Sequence, residues 1–416
     1  MLQIKKRDLI FAVLCILFIF ALFLRACTAV IIDDLMKAFS VPVASLGLMA
    51  SAFFYAYAAA QIPIGLLSDR IGVRYTVFCF GLLGFAGSAF FAYSTNINTA
   101  TLARLITGAG TAGIWIPTLT FLSRAYPAEK FASLTSIINA TGALGLVLAA
   151  LPMTLLVEKI GWRHSCFLPG AMMLLLVAIA WFLLKDPALD INQEETAEKH
   201  PQKTVVFYRH LSFWLFAVSN LIIYGALLSF ISLWGAAYLQ DSFGIGRETA
   251  GGHLSFASMG MIVGGLFWGT LSDRLFRARR PVIFLGTLGA LLTWIAILFL
   301  SDYPGPFYTS LLYFAAGTFS TVFLINLSSI KELFPMSIAG TAMGAANALM
   351  LAGVAVYQGI SGYLLGSALE TKTALASYRS IFIFYAISVA LAFLFVFFMP
   401  ETFPGKQKAA RHGSVL

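Results

Sequence analysis

The chain has 416 residues, of which 60% are hydrophobic and 11% are charged, and its formal net charge at pH 7 is +9. Because soluble chains are about 25% charged, this composition excludes a soluble enzyme, a nucleic-acid binder with a basic groove and a secreted domain held by disulfides. About 20 apolar residues cross a bilayer core as a helix. The sequence therefore predicts a polytopic membrane protein.

Clusters of charge, Pro and Gly divide the sequence into twelve apolar segments. Each is long enough to span a bilayer, where a helix satisfies its own backbone hydrogen bonds. The predicted spans are 9–32, 43–67, 75–94, 98–123, 131–157, 164–184, 212–239, 249–272, 281–300, 306–330, 338–366 and 378–399. We therefore expect an all-α membrane protein with twelve transmembrane helices.

The positive charges are distributed unequally between the two ends of these spans. Nineteen of the 27 Lys and Arg residues lie in the N-terminus, the loops after even-numbered spans and the C-terminal tail, and six lie in the opposite loops. Positively charged loops stay in the cytoplasm. We expect a multi-pass protein of a bacterial inner membrane with both termini in the cytoplasm.

A polar stretch at 185–210 separates the first six predicted spans from the last six. It contains several charges and few large apolar residues, which is typical of a cytoplasmic linker. We expect an N-terminal six-helix bundle at 1–184 and a C-terminal six-helix bundle with a short cytoplasmic tail at 211–416.

Two loops repeat one residue pattern in corresponding places. The loop after the second span reads Gly-Leu-Leu-Ser-Asp-Arg-Ile-Gly-Val-Arg at 65–74, and the loop after the eighth span begins Gly-Thr-Leu-Ser-Asp-Arg at 269–274. A second repeat is Tyr126-Pro127 before span five and Phe334-Pro335 before span eleven. The two patterns recur after nearly the same number of residues, which indicates that the chain consists of two related halves. We therefore expect the two bundles to be pseudo-symmetric.

These patterns resemble the major facilitator superfamily, whose hallmark is a Gly-x-x-x-Asp-Arg-x-Gly-x-Arg loop between spans two and three. Residues 65–74 match the hallmark completely, and the resemblance covers nearly the whole chain. Further similarities are Arg104-x-x-x-Gly108-x-Gly110, Gly340-x-x-x-Gly344 and Pro400-Glu401-Thr402. The resemblance implies the major facilitator fold, in which two bundles give alternating access to a site near the membrane midplane.

The hallmark loop is a candidate cytoplasmic gate. A glycine here lets two helices approach closely, an acid can cap or pair with a neighbouring helix, and the arginines hold the cytoplasmic surface. The candidate gating residues are Gly65, Asp69, Arg70, Gly72 and Arg74, with Asp273 and Arg274 in the second half. The alternative is a loop that only anchors topology, and in the second half Phe276 stands where the hallmark has Gly.

Two arginines lie within predicted spans, where an ionisable residue is expensive and is therefore a functional candidate. The helical rise places Arg25 roughly 7 Å and Arg104 roughly 9 Å from the middle of their spans, toward the same outer face. We expect both to bind one anionic group with their fork-shaped donors. Alternatively, Arg25 reaches the interface or pairs with Asp33 or Asp34, and Arg104 only braces helices.

The surroundings of Arg25 resemble a narrower branch of that superfamily, the anion:cation symporters. The similar residues are Arg25, Leu46-Gly47, Ser51-Ala52-Phe53-Phe54, Tyr57, Gln61-Ile62-Pro63 and Gly65. The branch usually has an Asp directly before this Arg, whereas Leu24 stands here. The resemblance implies that Arg25 contacts a substrate carboxylate. A looser resemblance is to bacterial relatives of lysosomal dipeptide carriers.

Other polar and aromatic residues within spans need partners that a wet cavity supplies. The remaining candidates for substrate binding are Tyr55, Tyr57, Gln61, Trp115, Asn139, Asn220, Tyr224, Asn326, Asn347, Tyr357 and Gln358. Hydrogen bonding between helices is the alternative role for each. His253, Asp33 and Asp34 are candidate proton relays.

Missing sequence patterns argue against several mechanisms. The sequence has no Gly-x-x-x-x-Gly-Pro pattern of drug antiporters in span five, no phosphate-binding loop, and no metal-ligand or nucleophile-base constellation. The four cysteines lie in apolar runs without paired spacing, so we expect packing residues. No catalytic residue, metal or cofactor is expected, and the protein is predicted not to be an enzyme.

The sequence predicts a monomeric secondary transporter that works by proton-coupled uptake of a small organic anion or zwitterion, such as a carboxylate, an amino acid or a dipeptide. One alternative is a proton-driven exporter of drugs or metallophores. A second alternative, from another class, is a membrane sensor or receptor that binds a ligand without moving it.

Overall fold

The computed structural model describes residues 6–126, 128–184, 207–334 and 336–403. Within these ranges the chain is helical and contains no strand. The helices are α1 (Lys6–Ala26), α2 (Ile32–Phe39), α3 (Val43–Ala92), α4 (Ile97–Ala125), α5 (Ala128–Leu148), α6 (Leu151–Leu183), α7 (Leu211–Ser229), α8 (Gly235–Phe243), α9 (Arg247–Thr270), α10 (Arg280–Leu298), α11 (Pro306–Ser320), α12 (Phe323–Leu333), α13 (Met336–Leu369) and α14 (Ala374–Val396). Most of the expected linker, 185–206, lies outside the described residues.

The helices carry the predicted transmembrane spans. In the described part of the chain, eleven helical stretches are long and apolar enough to cross a membrane, and a shorter apolar helix covers Ile137–Leu148. This shorter helix belongs to predicted span 131–157, which is interrupted between the end of α5 and the start of α6. The expected all-α membrane architecture is confirmed.

Two long helices each contain a hairpin that turns at one glycine. The backbone of α3 leaves the helical region at Gly72, where φ is 88°, and that of α6 does so at Gly161, where φ is 74°. A side chain with a Cβ is strained at positive φ, so glycine suits both turns. Each hairpin therefore joins two consecutive spans through a very short connection.

Regular helix is also interrupted within single spans. A 3₁₀ turn at Cys27–Val30 follows α1, and a π-helix at Phe230–Trp234 joins α7 to α8. The two irregular segments touch, because the Thr28 hydroxyl donates a hydrogen bond to the Ser232 carbonyl at 3.1 Å. Such π-helical turns frequently occur at functional sites.

Following the division predicted from the sequence, we call α1–α6 the N-terminal group and α7–α14 the C-terminal group. In the first group α3 lies along α4 and α6, and in the second α9 lies along α11 and α7 along α13. Small residues allow this close packing, because a Cβ on Gly110 would clash with the backbone nitrogen of Gly84. Close backbone contact is the usual source of helix association in lipid.

The two groups are joined at the end of the molecule remote from Lys6, which we call the closed end. There Gly47 of α3 meets Gly362 of α13, and a Cβ on Gly47 would lie 2.8 Å from the Gly362 Cα. At the same end the Leu151 amide donates to the Ser255 hydroxyl at 3.2 Å. At the opposite end a Cβ built on Gly65 of α3 or on Gly340 of α13 would have no described atom of another helix within 4 Å. The contacts named here between the two groups therefore lie at the closed end.

Candidate functional site

Arg25 lies in the last turn of α1, directly before the 3₁₀ turn, and its side chain is 6% exposed. Its Nη1 atom donates a hydrogen bond to the Tyr224 hydroxyl of α7 at 3.3 Å. Its guanidinium carbon lies 4.7 Å from the centre of the Tyr57 ring and 5.9 Å from that of Phe54. These contacts bring residues from both helix groups around one positive charge.

The charge of Arg25 has no counter-charge among the described residues. It makes no ion pair there, and its buried Nε has no hydrogen-bond partner. No ion pair joins it to Asp33 or Asp34, and Asp34 instead pairs with Arg247 of α9 at the closed end. Aromatic faces and one hydroxyl therefore supply the polar environment of this guanidinium.

Tyr224 connects Arg25 to the interior of the C-terminal group. Its ring lies edge-on to Phe323 of α12, with ring centres 4.7 Å apart and an interplanar angle of 66°. Its hydroxyl accepts the bond from Arg25 and keeps its own proton to donate. Tyr224 is therefore placed to offer a second donor beside the guanidinium.

Arg104 of α4 has a different set of contacts. Its Nη1 donates to the Leu24 carbonyl at 2.7 Å and its Nη2 donates to the Arg25 carbonyl at 3.2 Å. Carbonyls at the end of a helix lack intrahelical partners, so the guanidinium fork satisfies two groups that the end of α1 leaves free. The guanidinium also lies over Phe53, 4.5 Å from the ring centre. Arg104 therefore holds α4 against the end of α1. This is the helix-bracing role that the sequence analysis gave as the alternative to anion binding.

The other residues predicted to bind substrate differ in how deeply they are buried. Five of them are buried, and each has at least one polar side-chain atom without a hydrogen-bond partner among the described residues: Gln61, Asn220, Asn326, Tyr357 and Gln358. Trp115 is partly buried and stacks on Phe18, Asn347 is partly buried, and Tyr55 and Asn139 are exposed. The structure thus brings Tyr57 and Tyr224 into contact with Arg25.

Gln358 belongs to a hydrogen-bonded cluster beside the π-helix, whose other members were not predicted from the sequence. Trp234 Nε1 donates to the Ser361 hydroxyl at 2.6 Å, and Gln358 Nε2 donates to the Ser232 hydroxyl at 2.9 Å. The Tyr385 hydroxyl donates to the Ser229 hydroxyl at 2.8 Å. Serines are common in apolar spans, so only the tertiary fold singles out these ones. Phe54, by contrast, stands one helical turn before Tyr57, and that spacing could have identified it.

The gating candidates of the first half lie near the hairpin turn of α3. Gly72 forms the turn itself, Arg70 is exposed, and Arg74 lies over the Trp181 ring at 4.0 Å from its centre. The side chain of Asp69 lies outside the described part of the structure. The contact between Arg74 and Trp181 joins this loop to α6 of the same helix group.

In the second half, Arg279 is buried near the gating candidates Asp273 and Arg274. Arg274 is exposed, whereas Arg279 forms ion pairs with Asp273 and with Glu332 of α12. Its backbone amide also donates to the Glu401 carboxylate at 2.8 Å. Burial lowers the pKa of Arg279, but the bonds to the Glu332 and Asp273 carboxylates raise it more, so its pKa lies above the usual value. Arg279 therefore stays charged and ties α10 to α12.

His253 of α9 makes two hydrogen bonds with hydroxyl groups. Its Nδ1 lies 2.9 Å from the Ser310 hydroxyl and its Nε2 lies 2.9 Å from the Tyr303 hydroxyl. A neutral imidazole has one donor and one acceptor nitrogen, and both can be satisfied here. These contacts join α9 to α11 and to the loop before it.

Comparison with known proteins identifies the family. The model of the Major Facilitator Superfamily matches residues 14–356 and 230–415 of the chain. The chain is 25% identical over 401 residues to a probable sulfoacetate transporter of Cupriavidus necator, covering 88% of each protein. It is 26% identical over 349 residues to a gentisate transporter of Corynebacterium glutamicum, covering 80% of this chain and 75% of that one.

The fold has a close structural counterpart. A bacterial homolog of the human lysosomal transporter Spinster, in an inward-facing and occupied conformation, matches with a TM-score of 0.77 and 17% identity, covering 95% of this chain and 97% of that chain. At this identity the likeness concerns the fold. The chain belongs to the Major Facilitator Superfamily. It is a multi-pass membrane protein and a secondary transporter of a small molecule, not an enzyme, as the sequence predicted.

Proposed function

We propose that this member of the superfamily takes up a small organic anion or zwitterion, such as a carboxylate, an amino acid or a dipeptide, with a coupled proton. The observation that carries the proposal is the buried guanidinium of Arg25, which makes no ion pair with a described residue. The relatives named for sulfoacetate and gentisate transport, both of them anions, support the same substrate class.

A buried charge without a counter-charge is costly in a membrane protein. The Tyr57 and Phe54 rings offset part of that cost through cation–π attraction. An anionic group would offset more, because an arginine has five N–H donors and charge-assisted bonds are the strongest hydrogen bonds in proteins. Arg25 uses one of its terminal nitrogens on Tyr224 and leaves Nε unpaired, so donors remain for a ligand.

The position of Arg25 suits alternating access. Arg25 belongs to the N-terminal helix group and Tyr224 to the C-terminal group, so a ligand between them contacts both. A ligand changes the balance between two conformations only if it binds them differently. An anion at this junction has that property, because the distance between the two residues depends on how the groups are arranged.

We assign the coupled proton to Asp34, whose carboxylate pairs with Arg247 across the closed end. Protonation of Asp34 removes its charge and weakens this pair, which favours opening of the closed end. Other titratable or charged groups of this region are Asp33 and Lys37 of α2, Glu248 next to Arg247, and Asp241, which accepts a hydrogen bond from the Tyr378 hydroxyl at 2.7 Å. His253, with two hydroxyl partners, serves as a structural tie between helices in this proposal.

The distribution of Lys and Arg supports a cytoplasmic location for both termini. With that orientation the closed end faces the outside of a bacterial inner membrane, and the described conformation is inward-facing. One chain contains all residues of the site, so we propose that the monomer is the transporting unit.

The decisive test compares Arg25→Gln with the wild-type protein. Thermal-shift measurements on detergent-purified protein would identify ligands from a panel of carboxylates, amino acids, dipeptides and cationic drugs, and hits would then be assayed for uptake into proteoliposomes. We expect anionic or zwitterionic hits and a loss of both binding and uptake in Arg25→Gln. Lys37→Gln removes one positive charge at an exposed position of α2 and is the matched control.

Three results would overturn the proposal. Hits confined to cationic drugs would indicate an exporter, and ligand binding without flux would indicate a sensor. Normal uptake by Arg25→Gln would show that this guanidinium does not bind the substrate.

A further inference from the structure

An apolar groove lies between α9 and α11 on the outside of the C-terminal group. It has a volume of about 410 Å³ and is lined by Phe256 of α9 and by Pro306, Phe307, Ser310, Leu311 and Phe314 of α11. We call it the α9–α11 groove. Its volume is within the range of small-ligand pockets, about 300–1,000 Å³, and its lining residues are not those around Arg25.

The groove runs parallel to the axis of α11. Its residues on this helix, at 306, 307, 310, 311 and 314, follow the spacing of three and four that places side chains on one helix face. From Pro306 to Phe314 the helical rise gives a length of about 12 Å. One leaflet of the hydrocarbon core is about 15 Å deep, so the groove extends through most of one leaflet.

The groove lies toward the closed end of the two helices. At that end α9 begins with Arg247, a member of the ion pair described above. The hydrogen bond between the His253 and Ser310 side chains places the start of α11 beside the first turns of α9. Farther from the closed end the backbones touch, because a Cβ on Gly264 would clash with the backbone of Thr318. The groove therefore occupies the part of the helix pair that side chains join.

The groove is continuous with the lipid-facing surface of the protein. Both helices belong to stretches that are long and apolar enough to cross a membrane, Arg247–Phe276 and Pro306–Leu333. On α9 the exposed side chains of Met259 and Val263 continue the face that carries the exposed Phe256. Because lipid covers this surface, hydrocarbon chains are the molecules that meet the groove.

The described lining of the groove presents apolar groups to a ligand. Ser310 contributes a polar side chain, but its hydroxyl lies 2.9 Å from His253 Nδ1 and is engaged there. His253 Nε2 in turn lies 2.9 Å from the Tyr303 hydroxyl. Three of the other lining residues are phenylalanines. Such a surface suits a flexible hydrocarbon chain and offers no counter-charge to an ionic ligand.

We propose that the α9–α11 groove binds one acyl chain of a phospholipid from the leaflet at the closed end. The inference goes beyond the proposed function and does not depend on the substrate. Association within lipid is driven by packing. A chain in the groove touches protein on several sides, whereas a chain on a flat helix face touches it on one, and many weak contacts add up. This lipid should therefore stay with the protein when detergent removes the others.

The bound chain has a consequence for stability. It contacts Phe256 of α9 and Leu311 of α11 beside the hydrogen bonds of His253, and so adds an apolar contact to the tie between these helices. A molecule that binds only the folded state raises its stability. Delipidation should therefore lower the unfolding temperature of the wild-type protein in detergent, and added phospholipid should restore it.

The test measures lipid binding by native mass spectrometry. The detergent-purified and delipidated full chain is titrated with palmitoyl-oleoyl phosphatidylethanolamine, and we expect one saturable adduct. Palmitoyl lysophosphatidylethanolamine, which has one chain, should compete for this site. Glycerophosphoethanolamine, which has the headgroup without a chain, should not compete.

Two variants alter the groove and two matched variants alter the lipid-facing surface elsewhere. Leu311→Trp fills the groove and Phe256→Ala removes one wall, and we expect either change to weaken the adduct about tenfold. The controls are Leu292→Trp on α10, where the leucine is 56% exposed against 52% for Leu311, and Phe267→Ala on α9, where the phenylalanine is 48% exposed against 43% for Phe256. Both should bind like the wild type. All four changes keep the position apolar, so insertion and folding should be preserved.

Three outcomes would overturn the proposal. Adducts that increase with lipid concentration without saturating would indicate ordinary boundary lipid. A saturable adduct of equal strength in Leu311→Trp and Phe256→Ala would place the lipid at another site. Competition by glycerophosphoethanolamine as effective as that by the lysolipid would show that the headgroup is recognised and the chain is not. None of these results bears on anion binding at Arg25, which is tested separately.

Discussion

The Arg25 guanidinium lies 3.3 Å from the Tyr224 hydroxyl, although 199 positions separate these residues in the sequence. The bond joins the last turn of α1 to the middle of α7 and so connects the two helix groups. Tyr224 accepts one hydrogen bond from Arg25 and can donate another to a ligand.

Tyr224→Phe should weaken substrate binding without disturbing the fold. The phenylalanine keeps the ring contact with Phe323 and removes only the hydroxyl. One net hydrogen bond is worth about 1 kcal/mol, or about fivefold in affinity. Uptake kinetics in proteoliposomes should show a higher KM, whereas Tyr363→Phe, at an exposed position of α13, should leave KM unchanged. A wild-type KM for Tyr224→Phe would place the ligand away from this hydroxyl.

Arg104→Lys should destabilise the protein more than it changes ligand binding. A lysine cannot donate to the Leu24 and Arg25 carbonyls with the geometry of a guanidinium fork. A buried carbonyl left without a partner costs about 1–3 kcal/mol, so the unfolding temperature in detergent should fall. Ligands should still stabilise this variant. The brace would be disproved if Arg104→Lys kept its unfolding temperature and lost its response to anions.

Asp34→Asn should uncouple transport from the proton gradient. The amide cannot be ionised, so the ion pair with Arg247 is permanently lost and opening of the closed end no longer depends on protonation. We expect substrate exchange to continue while an imposed pH gradient no longer drives accumulation in proteoliposomes. Glu248→Gln, which removes an exposed acid next to Arg247, is the control and should remain coupled. If Asp34→Asn still accumulated substrate at the wild-type level, the coupled proton would have to bind at another residue.

Arg279→Gln should be much more damaging than Arg274→Gln. Arg279 is 10% exposed and pairs with Glu332, which is 15% exposed, so its loss leaves a carboxylate partly buried without a counter-charge. Removing one partner of such a pair costs about 3 kcal/mol. Thermal unfolding should therefore occur at a clearly lower temperature in Arg279→Gln and at nearly the wild-type temperature in Arg274→Gln. Equal stability of the two variants would show that the ion pairs of Arg279 contribute little.

The sequence predicted the spans well because a bilayer imposes a simple physical requirement. A segment that crosses lipid must be about 20 residues long and apolar, and these properties can be read without knowing the tertiary contacts. Arg25 was recognised for the same reason, since a charge within an apolar run is conspicuous. The interruption between α5 and α6 was not recognised, because both sides of it are equally apolar.

The residues that face the interior were harder to identify. The spans are apolar on all sides, so no amphipathic period distinguishes a face toward the site from a face toward lipid. Arg279 is one of four arginines between 274 and 280. Which of them turns inward depends on the π-helix at Leu271–Phe276 and on the left-handed backbone of Arg277, where φ is 45°. Neither feature has a signature in the sequence.

The single-glycine turns at Gly72 and Gly161 limit how this transporter can move. A connection of one residue is too short for the spans on either side to slide past each other or separate. Each hairpin therefore moves as one rigid unit. Motions that expose the site must then occur between hairpins and between the two helix groups. The number of independent moving parts in the N-terminal group is therefore smaller than its number of spans.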